Sequence, residues 1–180
     1  MVIRKLTEED ANAYHTLRLE MLREAPSSFV TSLEDIVMLP VESVYPSMGL
    51  TPTDMGNLML GAFIESVLIG SAGLSMSRRR HEQHRAMVVS TYVRRNYAGR
   101  GVGTALLREL IAAAQAHPAL EQLHLTVTAG NDSAVLLYRK LGFHLGGVEP
   151  EAIKIGEVRY DKLHMHLPLK NGTPRRWNVK

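Results

Sequence analysis

The hydrophobic and polar positions of this chain switch between the spacing of helices and that of strands. Residues 2–4 form a short apolar strand candidate, and apolar residues recur at helical spacing over residues 7–24. We expect Thr7 to cap this helix, with Asp10 at its third position. Residues 30–56 hold scattered apolar and proline positions, which predict a second short helix plus loops.

The rest of the chain predicts a mixed sheet. Residues 58–64 and 67–76 are strand candidates with a hairpin-like break at Glu65 and Ser66, and residues 86–93 are a third. The elements predicted after them are a helix from Val102 to about His117, a strand over 123–128, a helix over 131–141 ended by Gly142, and strands from Phe143 and over 158–167. This order predicts an α/β (α+β) domain with a mixed central β-sheet flanked by helices on both faces.

Composition narrows the class of protein. The chain has 180 residues, of which 45% are hydrophobic and 22% charged, ordinary values for one globular domain. It contains no cysteine, which excludes thiol nucleophiles, disulfides and cysteine-ligated metals. The first residues carry no apolar signal core, and no apolar run approaches a membrane span. We therefore expect a cytoplasmic protein without a membrane partner.

The positive charge is concentrated at one end. The formal net charge is +3, but Lys170, Arg175, Arg176 and Lys180 lie within the last eleven residues, which contain no acid. Without those four charges, residues 1–169 carry a formal charge of −1. We expect a folded domain over residues 1–169 and a basic, flexible tail over 170–180. A nearly neutral domain disfavours nucleic-acid binding.

Residues 86–107 read as a β-branched strand, a basic glycine-rich turn and a helix. Such a junction presents unpaired backbone N–H groups, and alternate glycines let a ligand approach them closely. The pattern predicts a phosphate or pyrophosphate site. A P-loop is excluded because Gly103 is followed by Thr104 and Ala105, and the dinucleotide spacing fails because Thr104 and Leu106 stand where it needs glycine.

Two motifs resemble the GNAT acyltransferase superfamily. Residues 98–103 are similar to its acyl-CoA pyrophosphate loop, Arg/Gln-x-x-Gly-x-Gly/Ala, with both glycines present and Ala98 at the first position. Arg95 or Arg100 is our candidate to replace the missing side chain. Residues 131–143 resemble the later signature N-x-x-A-x-x-L-Y-x-K-x-G-F at every marked position. Asn131 and Tyr138 are two helical turns apart and so lie close to one face.

The resemblance implies acetyl-CoA as co-substrate and no metal. It implies that Asn131 contacts the pantetheine region and that Tyr138, the catalytic residue, points at the thioester sulfur. The residues that it implies for cofactor binding are Tyr92, Val93, Ala98, Gly99, Arg100, Gly101, Val102, Gly103, Thr104, Asn131 and Ser133. Two histidine pairs, at positions 81 and 84 and at 164 and 166, do not complete a metal ligand set.

The implied reaction transfers an acetyl group to a primary amine by direct attack. An aliphatic amine, with a pKa of about 10.4, is mostly protonated at neutral pH and must lose a proton first. We expect Tyr138 to stabilise and protonate the departing thiolate. The strand over 86–93 contains no acid, so the base stays open between Glu82, His84 and a water chain that ends on a backbone carbonyl, Ser90 or Tyr92.

The acceptor is the least determined part of this interpretation. Phe29 and Ser90 are our candidates to line its pocket, and a small-molecule or a peptide amine fits equally well. The resemblance is also compatible with a homodimer. The alternative function is a non-catalytic acyl-CoA-binding or sensing module, which needs the glycine turn but not Tyr138.

Overall fold

The computed structural model of the protein describes residues 1–54 and 56–169, so the predicted tail over 170–180 lies outside the described residues. The strands are β1 (Val2–Lys5), β2 (Leu58–Ile64), β3 (Val67–Met76), β4 (Arg85–Val93), β5 (Gln122–Thr128), β6 (His144–Ile155) and β7 (Val158–Pro168). The α-helices are α1 (Ala11–Glu24), α2 (Leu33–Ile36), α3 (Tyr45–Met48), α4 (Val102–Ala116) and α5 (Asp132–Lys140).

The strands form one seven-stranded sheet in the order β1-β2-β3-β4-β5-β7-β6. The pair β4–β5 is parallel, and the other neighbouring pairs are antiparallel. This arrangement confirms the predicted mixed sheet. A parallel pair needs a crossover connection, and α4 supplies it between β4 and β5.

Both faces of the sheet are covered. In β2, Leu60 and Ala62 join one buried cluster, whereas Met59 and Phe63 join the other, because side chains alternate along a strand. The first cluster contains the apolar residues of α4 together with Tyr138 of α5. The second contains apolar residues of α1, α2 and α3.

The strands β4 and β5 separate along their length. Their pairing covers only three residues of each strand, Arg85 to Met87 against Gln122 to His124. Farther along β4, Ser90 has a φ of 52°, and the register with β3 shifts. The Ser71 hydroxyl donates to the Ser90 carbonyl oxygen at 2.9 Å, which holds this irregular backbone in place. The separation leaves an opening in the sheet next to the glycine turn.

Local structure follows the sequence closely in most places. β2 and β3 have the predicted bounds, and the turn between them has positive φ at Glu65 (48°) and Ser66 (69°). The first predicted helix begins as a 3₁₀ turn over Glu8–Asp10 before α1. Its start is closed by Asp10, whose carboxylate accepts the Thr7 backbone N–H at 2.8 Å.

Residues 30–56 differ from the prediction of one short helix. The structure has two, α2 and α3, with a 3₁₀ turn over Val41–Val44 between them. Ser32 starts α2 because its hydroxyl accepts the Asp35 N–H, and Pro46 stands in the first turn of α3. Across residues 1–54 and 56–169, none of the helices has the length and apolar character needed to span a bilayer.

Candidate active site

A cavity of about 890 Å³ lies at the opening between β4 and β5. The glycine turn, α5 and the end of α1 with the segment after it enclose it. Thirteen of the predicted site residues line it: Phe29, Ser90, Tyr92, Val93, Ala98, Gly99, Gly101, Val102, Gly103, Thr104, Asn131, Ser133 and Tyr138. Arg100 is not among the lining residues. The structure therefore brings the two motifs to one space, although they are about thirty residues apart.

The glycine turn is open on the side where a ligand could approach. Gly99 (φ 73°) and Gly101 (φ 82°) have left-handed backbones, and a Cβ atom built on either would meet nothing within 4 Å. The Ala105 N–H donates to the Gly101 carbonyl at 3.0 Å, so the N–H groups just before it have no partner within α4. This combination of open backbone and N–H groups unpaired within α4 forms a cradle of the kind that favours an anion.

At position 103, glycine is favoured by close packing and not by an open ligand surface. A Cβ atom there would lie 3.3 Å from Leu137 Cδ2 and 3.7 Å from Val93 Cγ2. The missing side chain lets α4 pack closely against α5 and β4. The glycine turn and the signature over residues 131–143 therefore pack against each other, and they also line the same cavity.

The two candidates to replace the side chain missing at Ala98, Arg95 and Arg100, do not line the cavity. The Arg100 guanidinium carbon lies 5.9 Å from the centroid of the Tyr97 ring, in cation–π range. Arg95 is exposed and does not line the cavity. The replacement of the missing side chain by Arg95 or Arg100 stays a prediction.

Asn131 caps α5 at the rim of the cavity. Its Oδ1 accepts the Ala134 N–H at 3.2 Å and the Ser133 hydroxyl at 3.1 Å. Its Nδ2 lies 3.5 Å from the Ser28 hydroxyl, in the segment that follows α1. The side chain therefore starts the helix and faces the enclosing segment at the same time.

Tyr138 lies two turns farther along α5 and is 7% exposed. Its ring packs edge-on against Phe143, with centroids 5.7 Å apart. Gly142 (φ 90°) turns the chain after the helix, and the Phe143 N–H donates to the Tyr138 carbonyl at 3.0 Å. Burial raises the pKa of the Tyr138 phenol, so it keeps its proton at neutral pH.

Thr91 of β4 adjoins the Tyr138 phenol across the cavity. The Thr91 hydroxyl partly offsets the effect of burial on the Tyr138 pKa. The contact lacks good hydrogen-bond geometry, so the buried Thr91 Oγ1 has no partner among the described residues. A buried polar group that lacks a partner in the described part of the chain therefore adjoins the Tyr138 phenol.

Tyr92 connects the cavity wall to α1. Its hydroxyl lies 2.9 Å from Glu24 Oε2 and 3.1 Å from Glu20 Oε1, and Glu20 also binds Arg94 Nε at 3.0 Å. Burial and these two carboxylates raise the pKa of Tyr92. Its phenol therefore remains protonated and donates to α1, while its ring lines the cavity.

Glu82 and His84, two of the alternatives for the base, are not at the cavity. Glu82 accepts the Ser77 hydroxyl at 2.8 Å and pairs with Arg85, and these contacts lower its pKa. Neither Glu82 nor His84 is among the lining residues, and across the described part of the chain no Asp, Glu or His is. Proton transfer from the amine through a water chain that ends on a backbone carbonyl, Ser90 or Tyr92 stays a prediction.

Several polar lining residues were not singled out from the sequence. They are Ser28, Thr31, Thr126, Thr128 and Lys162. Lys162 is 7% exposed, and burial lowers its pKa. A lysine within an alternating strand reads as a solvent-facing residue, so only the tertiary structure identifies it. The available sequence signal was a charged residue, Lys162, among the apolar positions of a predicted strand.

Metal chemistry has no donor set in the described residues. Over residues 1–54 and 56–169, no group of three or more His, Asp or Glu side chains is placed to hold a metal ion.

The comparison with family models gives one match. The model described as "Acetyltransferase (GNAT) family" matches residues 17–143 of this chain. That range includes the glycine turn and the whole signature over residues 131–143. It also includes the lining residues of α1, β4, β5 and α5.

Curated relatives match over a shorter segment. The L-methionine sulfoximine/L-methionine sulfone acetyltransferases of Pseudomonas paraeruginosa and Pseudomonas aeruginosa are 40% identical to this chain over 65 residues. The aligned segment covers 34% of this chain and 36% of each relative. The match therefore spans about a third of the length of these relatives.

Solved structures match over nearly the whole chain. An acetyltransferase of the GNAT family from Streptococcus pneumoniae has a TM-score of 0.83 at 25% identity, covering 93% of this chain and 98% of that one. The structure of yncA from Salmonella typhimurium with its cofactor acetyl-CoA has a TM-score of 0.84 at 17% identity, covering 98% of both chains. The second likeness concerns the fold alone.

Proposed function

The chain belongs to the acetyltransferase (GNAT) family, and on that premise we propose that it is an N-acetyltransferase, which transfers the acetyl group of acetyl-CoA to a primary amine by direct attack. One observation carries the proposal. The open glycine cradle and the buried phenol of Tyr138 line the same cavity. An acyl-CoA needs a phosphate site at one end and a group near the sulfur at the other.

The cradle supplies the binding energy for the phosphates. The backbone N–H groups of Gly101, Val102, Gly103 and Thr104 are our candidates to hold the pyrophosphate, because the helix N-terminus favours negative charge. Ala98 removes a side-chain contact and leaves these backbone donors in place. Asn131 and Ser133, which line the cavity at the start of α5, are our candidates to contact the pantetheine arm.

Tyr138 is the group we propose for the leaving thiolate. Acetyl-CoA supplies an activated acyl group, and the reaction forms an amide N–C bond as the C–S bond breaks. A thiol of pKa about 8.5 is a stronger acid than a phenol of about 10, so full proton transfer is uphill in water. A hydrogen bond from the buried phenol still stabilises the developing negative charge on sulfur.

The proton of the acceptor amine takes a route through water in this proposal. The described lining residues include no carboxylate or imidazole. The positive charge of Arg18, which lines the cavity, also favours the neutral form of a bound amine. The names of the curated relatives favour a small-molecule acceptor over a peptide.

The test is thiol release from acetyl-CoA across a panel of amines, with Tyr138→Phe as the variant. We expect kcat to fall about 100-fold, since general acid catalysis contributes on that order, while the Kd for CoA changes less than about twofold. Tyr160→Phe, on β7 outside the cavity lining, is the matched control and should retain full activity.

Two results would contradict parts of this proposal. Unchanged turnover in Tyr138→Phe would remove Tyr138 from the mechanism. CoA binding with no thiol release for any amine would favour the sensing module over the enzyme.

A further inference from the structure

Lys162 is a buried cation on the wall of the cavity. The residue is 7% exposed and is a lining residue. Lysine is almost never buried to this extent without a partner, because an ammonium loses its hydration there. The position therefore requires an explanation beyond packing.

The described residues supply no close counter-ion for Lys162. Within residues 1–54 and 56–169, no carboxylate forms an ion pair with Lys162. The facing acid is Glu149 of β6, and its Oε2 lies 2.9 Å from His164 Nε2 instead. Glu149 favours the charged lysine only from a distance, and burial outweighs it, so the pKa of Lys162 is lowered.

The side chain lies on the acceptor side of the sheet. Leu163 and Met165 of β7 pack into the cluster that contains α4 and Tyr138, so Lys162 projects from the opposite face. On that face its partner in β5 is Thr128, whose hydroxyl donates to the Ser27 carbonyl in the segment after α1. The glycine cradle belongs to α4, so Lys162 is not placed for the pyrophosphate.

Among the described residues, the charged side chains that line the cavity are both cations. Arg18 of α1 and Lys162 are lining cations, and no Asp or Glu among the described residues lines the cavity. Arg18 forms no ion pair with a described carboxylate. A bound anion would give both groups a partner of opposite charge.

We propose that Lys162 binds a carboxylate of the acceptor, so that the preferred acceptors are amino acids and other amines that carry a carboxylate. This inference rests on the proposed acetyl transfer. The Lys162 ammonium, which has no ion-pair partner among the described residues, is the binding group, and Arg18 is the second cation that lines the cavity. Lys162 positions the acceptor and takes no part in the bond changes.

The test compares L-amino acids with their carboxamides, which keep the amine and lose the charge. We expect kcat/KM for the acids to exceed that for the amides by at least about tenfold. Lys162→Met should raise KM for the acids roughly 10- to 100-fold, the effect of one charged hydrogen bond, and leave the amides unchanged. Lys162→Arg should retain much of the preference.

Controls separate this role from a structural one. Lys154→Met removes an exposed lysine of β6 and should leave both substrate classes unchanged. If Lys162→Met does not fold, Lys162→Arg and Lys162→Gln carry the same comparison. Binding of the amino acid to the CoA complex, measured by calorimetry, gives a readout that does not depend on turnover.

The outcomes are distinct. Equal kcat/KM for acids and amides, or an equal loss of kcat for both in Lys162→Met, would overturn the carboxylate site. The second result would instead make Lys162 a base.

If no amine releases thiol, the proposed function fails. The calorimetric measurement of amino acid binding still tests whether Lys162 binds a carboxylate. Amino acid binding lost in Lys162→Met supports it, and an absence of binding to the unaltered protein overturns it.

Discussion

At the scale of single residues, the glycines of the turn serve two separate purposes. Gly99 and Gly101 have left-handed φ values and open space beside them, whereas Gly103 is surrounded by Leu137 and Val93. The first two shape a surface for a ligand, and the third allows close packing. A substitution at Gly101 therefore tests binding more directly than one at Gly103.

We expect Gly101→Ala to raise the KM for acetyl-CoA several-fold. The added methyl group would project into the open space of the cradle, and alanine in a left-handed conformation costs about 1 kcal/mol of stability. Steady-state kinetics and thermal unfolding measure the two effects. Gly147→Ala, where the Cβ atom also meets nothing within 4 Å and φ is ordinary, is the matched control. An unchanged KM would argue against the cradle.

At the scale of elements, short polar contacts fix how strands and helices meet. The Arg4 guanidinium of β1 binds Asp10 with contacts of 2.6 and 2.8 Å, and Asp10 also accepts the Thr7 N–H. This carboxylate joins the edge strand to the start of α1, whose other end encloses the cavity. The hydrogen bond from Arg4 lowers the pKa of Asp10 from 3.8 to about 2.

The depressed pKa of Asp10 predicts acid sensitivity of this joint. Because the folded-state pKa lies below the unfolded value, the stabilisation is complete above about pH 4 and is lost as pH falls through 2. We expect Asp10→Asn to lose about 1 kcal/mol at pH 7, since Arg4 is partly exposed, and the difference from the unaltered protein to shrink between pH 4 and 2. Urea unfolding at several pH values measures it.

The control for this experiment is Glu157→Gln, at a side chain that is 98% exposed. It should leave stability unchanged over the same pH range. A difference between Asp10→Asn and the unaltered protein that stays constant from pH 7 to 2 would contradict the role of the Asp10 charge.

At the scale of the whole molecule, two apolar clusters on opposite faces of the sheet meet at the cavity. The wall combines α1 and its following segment with β4, β5 and α5. These parts are far apart in sequence and line the same cavity. A ligand in the cavity would therefore connect both halves of the fold.

We expect CoA at 100 times its Kd to raise Tm by roughly 5 to 10 °C. Binding to the folded state alone contributes about 2.7 kcal/mol at that ratio, and each kcal/mol shifts Tm by about 2–4 °C for a protein of this size. Pantetheine at the same concentration lacks the phosphates and should give a much smaller shift. Differential scanning fluorimetry makes the comparison, and equal shifts would contradict binding by the glycine cradle.

The sequence by itself determined those features whose causes are local. The bounds of β2 and β3, the helix that follows Asn131 and the turn at Gly142 follow from side-chain periodicity and from backbone demands of single residues. The two motifs also predicted the family, because their residue types occur at fixed spacing. Over residues 30–56 the prediction of one helix was wrong, since four-residue helices are too short to give a periodic signal.

Only the tertiary structure decided which polar side chains share the cavity. The separation of β4 from β5 arises from a strand irregularity at Ser90 and a limited register, neither of which a pattern along the chain shows. The tertiary structure places Lys162 in the interior and Glu82 outside the lining of the cavity. Burial and pairing depend on neighbours contributed by distant segments, and a charged residue has the same sequence signature whether those neighbours cover it or leave it in water.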